Sequence, residues 1–363
     1  MSRGQYSDTI PMDLIPEIFS KLPAKSMARF RCVSKLWGSI HRRLFFVLER
    51  ANHEFLFSSR RPQQPYDEKS SLSSLVVAAD FHMKISKDMW PKFRCLTSGL
   101  IYFSDMEISE DKGFEVEPVI YKPNTGQYEN LPKLSRYRKS YSFLGFDPIG
   151  NLYKVLFIAY PYCPDSGKHR ILTLGTCKRR WRKIEFSLVH VPVCEGICIN
   201  GVVYYIGETE IETSSEVIEK YVIVCFDVRH NKFKIVDAEC FCNPRTTPLI
   251  NYKGKLAGIE MSYDDADAVK LCIWVLEDVK RQEWSKHVFT LPENISRCLQ
   301  CFHCWDDYYR FTCKPFYVFY FNPEKNTLQS VEIRGVGEYH EAFETECKVY
   351  AFVDYVVDLK FLT

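Results

Sequence analysis

The chain has 363 residues, 46% hydrophobic and 26% charged, with Lys plus Arg 48 against Asp plus Glu 46, a net charge of +2. That length fits two units, or one large β architecture with an appendage, and the near-balance of charge excludes the strongly basic face of a dedicated nucleic-acid binder. No apolar run reaches the ~18–20 residues needed to span a bilayer, and Asp8 and Asp13 interrupt any apolar stretch near the start, so neither a membrane nor export is expected.

Residues 10–50 read as a small helical head. Pro11 suits a first helical turn, and Leu14, Ile15, Ile18, Phe19 and Leu22 then line one face of a helix that Pro23 stops. Ser26 is placed to cap a second helix carrying Met27, Phe30 and Val33, and Ser34 a third carrying Trp37, Ile40 and Leu44. Three short helices cannot bury so many large side chains among themselves. The stripe packs either on the rest of this chain or into the groove of a partner.

The residues carry a resemblance that bears on that choice. The run Ile10-Pro11-Met12-Asp13-Leu14-Ile15-Pro16-Glu17-Ile18-Phe19 through Leu22-Pro23, followed by Arg29-Phe30-Arg31-Cys32-Val33-Ser34-Lys35-Leu36-Trp37, resembles an F-box over about 40 residues, with Ile10 where Leu is usual. The resemblance implies a three-helix module over residues 5–50 that docks on a Skp-type adaptor and, through it, on a cullin-RING ubiquitin ligase. It assigns the adaptor-facing surface to Ile10, Pro11, Leu14, Ile18, Leu22, Pro23, Phe30, Val33, Lys35 and Trp37. These are large anchors of the kind that dominate an interface.

After the polar stretch Ser58–Ser74 the helical period disappears, and residues 51–363 read as an all-β body. Aromatics are 15% of the chain, and short β-branched and aromatic runs alternate with turn residues. The pairs Ile120-Tyr121, Ile171-Leu172, Cys225-Phe226, Ile273-Trp274 and Phe319-Tyr320 recur at intervals near 50 residues. Each is followed by a turn and one large side chain: Tyr128, Trp181, Phe233, Trp284 and Leu328.

A period near 50 is the kelch-type spacing of a four-stranded propeller blade, with room for about six units. The β-rich stretch from Val349 could close the ring on strands near Glu54–Phe57. A pair of packed sheets is the other architecture such strands allow. The double glycines of kelch repeats are absent. Ser98-Gly99-Leu100-Ile101, Asn200-Gly201-Val202-Val203-Tyr204 and Cys225-Phe226-Asp227-Val228 instead resemble the F-box-associated domain of plant F-box proteins. The expected fold is thus α+β and multidomain: a three-helix F-box, then a β-propeller-like body that would hold a protein substrate.

The chemistry-bearing clusters are few. Cys298, Cys301 and Cys304, with His303 and Cys313 nearby, echo half of a zinc or iron–sulfur pattern, but they lie in an aromatic run and lack a second knuckle, so no metal is expected. Lys178–Lys183 is the one dense basic run, and its Trp181 stands at a repeat position, as for a solvated β-turn. Asp264, Asp265 and Asp267 lack the Gly and Glu of a calcium loop. No nucleophile-elbow, P-loop, zincin or dinucleotide motif occurs, so neither catalysis nor a cofactor is expected.

Fifteen cysteines without an export signal read as reduced thiols of the cytoplasm or nucleus, which makes the Asn294-Ile295-Ser296 sequon a chance match. The loops Gly207–Glu216, Asp105–Glu117 and Ser262–Ala268 are the candidates for contacting a substrate. A binding scaffold outside any ligase and a small-molecule propeller enzyme remain the rival readings.

Overall fold

A computed structural model describes residues 43–50, 53–60, 75–86, 95–107, 116–122, 127–132, 140–159, 168–176, 179–212, 217–263, 269–291, 316–322, 327–334 and 347–355. The head, and with it all ten adaptor-facing residues from Ile10 to Trp37, lies outside the described residues, as does the cysteine cluster at 298–313. Within the described residues the ordered elements are strands: β1 (Arg43–Arg50), β2 (His53–Arg60), β3 (Leu75–Ser86), and then four successive groups.

The first sheet holds β4 (Cys95–Thr97), β5 (Leu100–Glu107), β6 (Val116–Lys122) and β7 (Gln127–Asn130). The second holds β8 (Ser140–Asp147), β9 (Leu152–Ala159), β10 (Lys168–Thr173) and β11 (Arg182–Glu185). The third holds β12 (Val191–Pro192), β13 (Ile197–Ile199), β14 (Val202–Glu212), β15 (Val217–Asp227) and β16 (Lys232–Asp237). The fourth holds β17 (Leu249–Tyr252), β18 (Lys255–Tyr263), β19 (Val269–Asp278) and β20 (Glu283–Thr290).

Four of the five repeat anchors find the same place in their sheets, counting β13 as the first strand of the third sheet. Ile120-Tyr121, Ile171-Leu172, Cys225-Phe226 and Ile273-Trp274 lie on the third strand, and the large residue that follows lies on or just before the fourth. The register explains the repetition: Tyr121 pairs with Tyr128, Phe226 with Phe233 and Leu276 with Trp284. Phe321 and Leu328 pair in the same way on β21 (Phe316–Asn322) and β22 (Thr327–Arg334). A cross-strand pair of large side chains beside the turn fixes the hairpin register.

The last sheet draws on both ends of the chain, in the order β21-β22-β3-β2-β1-β23, where β23 is Cys347–Tyr355. β23 runs antiparallel to β1, and β22 parallel to β3. The expected closure is therefore present, with β1 rather than β2 as the direct neighbour of β23. Arg43–Arg50, whose Leu44 fitted a helical stripe, is a strand: pairing with β2 and β23 on both sides overrides a local spacing that suits either conformation. Where six blade-like units are expected, the described strands form five sheets, and residues 292–315 and 335–346, on which the count depends, lie outside them.

Consecutive sheets pack face to face, each interface with its own core. Leu100, Tyr102 and Ile120 meet Leu144, Val155 and Leu172 between the first and second. Phe143, Leu156 and Ile158 meet Val203, Tyr205 and Val224 between the second and third. Ile206, Ile223 and Val236 meet Leu256 and Leu276 between the third and fourth. Burial falls outward along each sheet, from β9, where seven consecutive residues from Tyr153 to Ala159 are buried, to β11 and β16, which are largely exposed. The near-continuous apolar run in β9 follows from having sheets on both faces.

Candidate functional site

Because β4–β7, β8–β11, β13–β16 and β17–β20 are antiparallel four-strand meanders, their joins divide between two ends. At one, the turn end, the first strand turns into the second and the third into the fourth. At the other, the loop end, the second strand passes to the third and one sheet passes to the next.

The turn end is short and locked. Ser98-Gly99, Asn200-Gly201 and Lys253-Gly254 are two-residue hairpin loops with positive φ at both positions, 47° and 83°, 50° and 84°, 52° and 85°. That geometry matches the strand twist and calls for Gly at the second position, which accounts for the recurring X-Gly phrases. Bonds between these turns hold the sheets together: Tyr153 donates its hydroxyl to Ser98 O at 3.0 Å, and Asn200 Nδ2 donates to Gly254 O at 3.0 Å. The buried Lys154 donates Nζ to Val228 O, to Arg229 O at 3.3 Å and to Asn231 Oδ1 at 2.8 Å.

All three candidate loops fall at the loop end. Asp105–Glu107 lie on β5 and Val116–Glu117 on β6, Ser262–Tyr263 lie on β18, and the residues between lie outside the described set. Gly207–Glu216 is corrected in part: residues 207–212 are strand, fully paired from Gly207↔Val222 to Glu212↔Val217. The missed signal was alternation, with Thr209 buried and Glu210 exposed, a period of two hidden by its glutamates. β14 and β15 thus form a hairpin of eleven residues a side.

Segments between sheets flank this hairpin. Residues 186–196 run along β14, with Val191 paired to Glu208 and Thr209 Oγ1 donating to Val189 O at 2.9 Å. From the 238–248 segment, Arg245 donates Nε to the Tyr221 hydroxyl at 2.7 Å and places Nη2 2.8 Å from Glu208 and 3.7 Å from Glu219. Glu210 and Glu219 face one another across the ladder, a like-charge pair that costs stability. Burial lifts the Glu208 carboxyl above its usual range, Arg245 opposes that, and Glu219 and Glu210 add to it. Val189 and Ile218 are exposed beside these charges. The surface is acidic, bridged by one arginine, with two aliphatic side chains in the open. Neither Arg245 nor Val189 carries a sequence signal, since both sit in irregular segments without period.

Behind it lies an aromatic and histidine cluster. His190 Nδ1 donates to Leu188 O at 3.0 Å, so its Nε2 accepts from the Tyr205 hydroxyl at 2.9 Å. His169, 2% exposed, packs edge-on to His190 and Phe233 and beside Phe186, and among the described residues neither ring nitrogen has a hydrogen-bond partner. Burial, then the neighbouring His190, lower its pKa to about 3. Burial likewise raises the Cys194, Cys225 and Cys240 thiols to about 12. These are neutral packing groups; an activated thiol would shift the other way. Among the described residues no His, Cys, Asp and Glu group is arranged to hold a metal.

The basic run stands at the turn end. Arg179 pairs with Glu129, and Trp181 packs against Phe157 and donates Nε1 to Pro132 O at 2.7 Å. Arg182 and Lys183 open the outer strand β11 and are exposed.

Two family descriptions match the chain: an F-box domain over residues 8–46 and an F-box associated beta propeller domain over residues 43–356. The Arabidopsis thaliana F-box protein At3g57590 is 43% identical, over 97% of this chain and 91% of its own length. F-box protein At1g47340 of the same plant is 43% identical over 96% of this chain and 80% of its own, and F-box protein At2g15640 is 41% identical over 97% and 93%.

Proposed function

The chain belongs to the F-box proteins that carry an F-box associated β-propeller domain, and we propose that it is the substrate-recognition subunit of an SCF-type ubiquitin ligase. The observation that carries this reading is the succession of the two matches: the F-box match ends at residue 46, inside the first strand of the closing sheet, and the propeller match begins at residue 43. In this reading the stripe from Ile10 to Trp37 seats in a Skp-type adaptor, which links the chain to a cullin-RING ligase. The body holds a protein substrate at its loop end. Such a subunit accelerates ubiquitin transfer by raising effective concentration, and the bond-making chemistry belongs to its partners. The compartment proposed is the cytoplasm or nucleus, where free thiols persist.

The test is co-purification of the full chain with a Skp-type adaptor. Leu22→Asp and Trp37→Ala should each abolish capture while the far-ultraviolet circular dichroism of the β body is retained. Failure of the wild-type chain to capture the adaptor, or undiminished capture by both variants, refutes the reading. A β body that no longer folds would instead assign these side chains to the chain's own core.

A further inference from the structure

The basic run at residues 179–183 is one part of a larger feature that the ligase reading leaves unused. At the turn end, the joins between third and fourth strands of three consecutive sheets each bring cations to the surface. Arg180, Arg182 and Lys183 come from the second sheet, Lys232 and Lys234 from the third, and Lys280 from the fourth, all exposed. None of the six forms a salt bridge among the described residues.

The second and third sheets adjoin here: Lys154, whose proton affinity is lowered first by burial and then by the Arg182 guanidinium, holds the 228–231 turn through Val228, Arg229 and Asn231. Asp237 N, at the far end of β16, donates to Gln282 Oε1 at 2.9 Å, so the 279–282 turn of the fourth sheet docks on the outer strand of the third. Three carboxylates at this end accept from the backbone of their own turns, and Asp278 also lies within the field of Lys280 and Lys234. Asp227 accepts from His230 N at 2.8 Å, Asp278 from Lys280 N at 2.6 Å and Arg281 N at 3.1 Å, and Asp147 from Ile149 N at 3.0 Å. Six exposed cations thus stand at these turns and on the outer strands that leave them, although the chain as a whole carries only +2.

An apolar group stands at the same end. Ile149, 74% exposed, projects from the Pro148–Asn151 turn of the second sheet, and Pro148 packs against the Asn200-Gly201 turn, its Cδ 3.2 Å from where a Cβ on Gly201 would lie. An exposed aliphatic side chain and exposed cations at the same end of the sheets have the composition of a protein-binding surface: a dry anchor with charges that steer the partner.

We propose that the turn end is a second interaction surface, distinct from the loop end, that binds an acidic segment of another polypeptide carrying an aliphatic side chain for Ile149. Charge complementarity sets the sign of the partner. A nucleic acid fits less well, because an aliphatic tip gives bases no face to stack on. The inference stands whether or not the head engages an adaptor.

Fluorescence anisotropy on the full chain tests it with three labelled probes: a peptide of alternating Glu and Leu, the same peptide with Ser for Leu, and a single-stranded oligodeoxynucleotide. The Glu-Leu peptide should bind the wild type. The triple reversal R182E/K183E/K234E should weaken it about tenfold, as three rim charges of modest individual effect would. K232E/K280E, from the third and fourth sheets, should weaken it in the same sense, Ile149→Ser should weaken it several-fold, and R182K should leave it unchanged. Retained circular dichroism certifies the fold of each variant. No binding up to about 1 mM peptide, equal binding by wild type and both reversals, equal affinity for the Ser peptide, or tighter binding of the oligonucleotide each overturns the proposal.

Discussion

Lowering the pH should destabilise this body before its carboxylates titrate, and His169 is the reason. Its folded pKa of about 3 lies far below the ordinary 6.5, because the ring is buried and stands beside His190. Between those two values the unfolded chain binds a proton that the folded chain refuses. The contribution of His169 is therefore fully present above pH 6.5 and is lost as pH falls toward 3. Integrating the linkage relation from neutral pH to pH 5 gives a loss of about 2 kcal/mol from this residue alone.

His190, lowered by burial against the opposing Leu188 carbonyl bond, adds to the loss in the same direction. Asp227, Glu277 and Asp278 have lowered values, so their contributions are lost only as pH falls below the ordinary carboxylate range, beneath this window. Glu208 is raised and contributes with the opposite sign, but identically in a His169 variant, so it cancels in the comparison.

His169→Phe tests the reasoning, since Phe186 and Phe233 already line the site with rings. Urea unfolding followed by circular dichroism at pH 7, 6 and 5 should show the variant losing about 2 kcal/mol less than the wild type across that range. His169→Leu should behave alike. Parallel pH profiles for wild type and both variants would refute the account of His169 as a buried neutral ring.

Other perturbations probe the joints of the ring. Lys154→Met should destabilise by about 2 kcal/mol in the same unfolding assay, since it strips three acceptors of a charged donor, partly offset by relief of the amine's desolvation; a more stable variant would mean that desolvation is the larger effect. Gly258→Ala puts a Cβ 2.4 and 2.5 Å from the Phe241 ring and 2.9 Å from Thr247, and should cost about 1–3 kcal/mol by overpacking; unchanged stability would mean that Phe241 moves freely. Ending the chain at Glu346 removes β23 and bares the edge of β1 from Phe45 to Arg50, so light scattering should report self-association; a monomer of unchanged stability would deny the closing role of β23.

The repeated unit was legible because its signals are local. An aromatic pair beside a turn and an X-Gly loop between first and second strands are set by hairpin geometry, so they recur wherever a sheet recurs. The elements read wrongly share one property: their state is decided by partners distant in sequence. Arg43–Arg50 is held as a strand by β2, nearby, and by β23, about 300 residues away. Glu208–Glu212 is held by β15 and by Arg245, and its many carboxylates hid the alternation beneath them. The role of Lys154, and the gathering of Lys232, Lys234 and Lys280 at the same end as the basic run, were invisible for a related reason. Each turn is an ordinary polar turn by itself, and only the stacking of sheets brings them together.

That contrast also separates what the two ends can do. At the turn end, two-residue loops with paired positive φ values leave little room for length variation, and their backbone atoms are committed to the neighbouring sheet through bonds such as Asn200 to Gly254 and Lys154 to Val228. Its side chains can change charge without moving the backbone, which makes it a fixed surface. At the loop end, the second strand can lengthen outward past the core without disturbing the register inward of it, as β14 and β15 do beyond Gly207 and Val222. An insertion there adds cross-strand pairs and new side chains while the buried Val203, Tyr205 and Val224 stay where they are. Such a scaffold gains reach at the loop end and keeps its shape at the turn end.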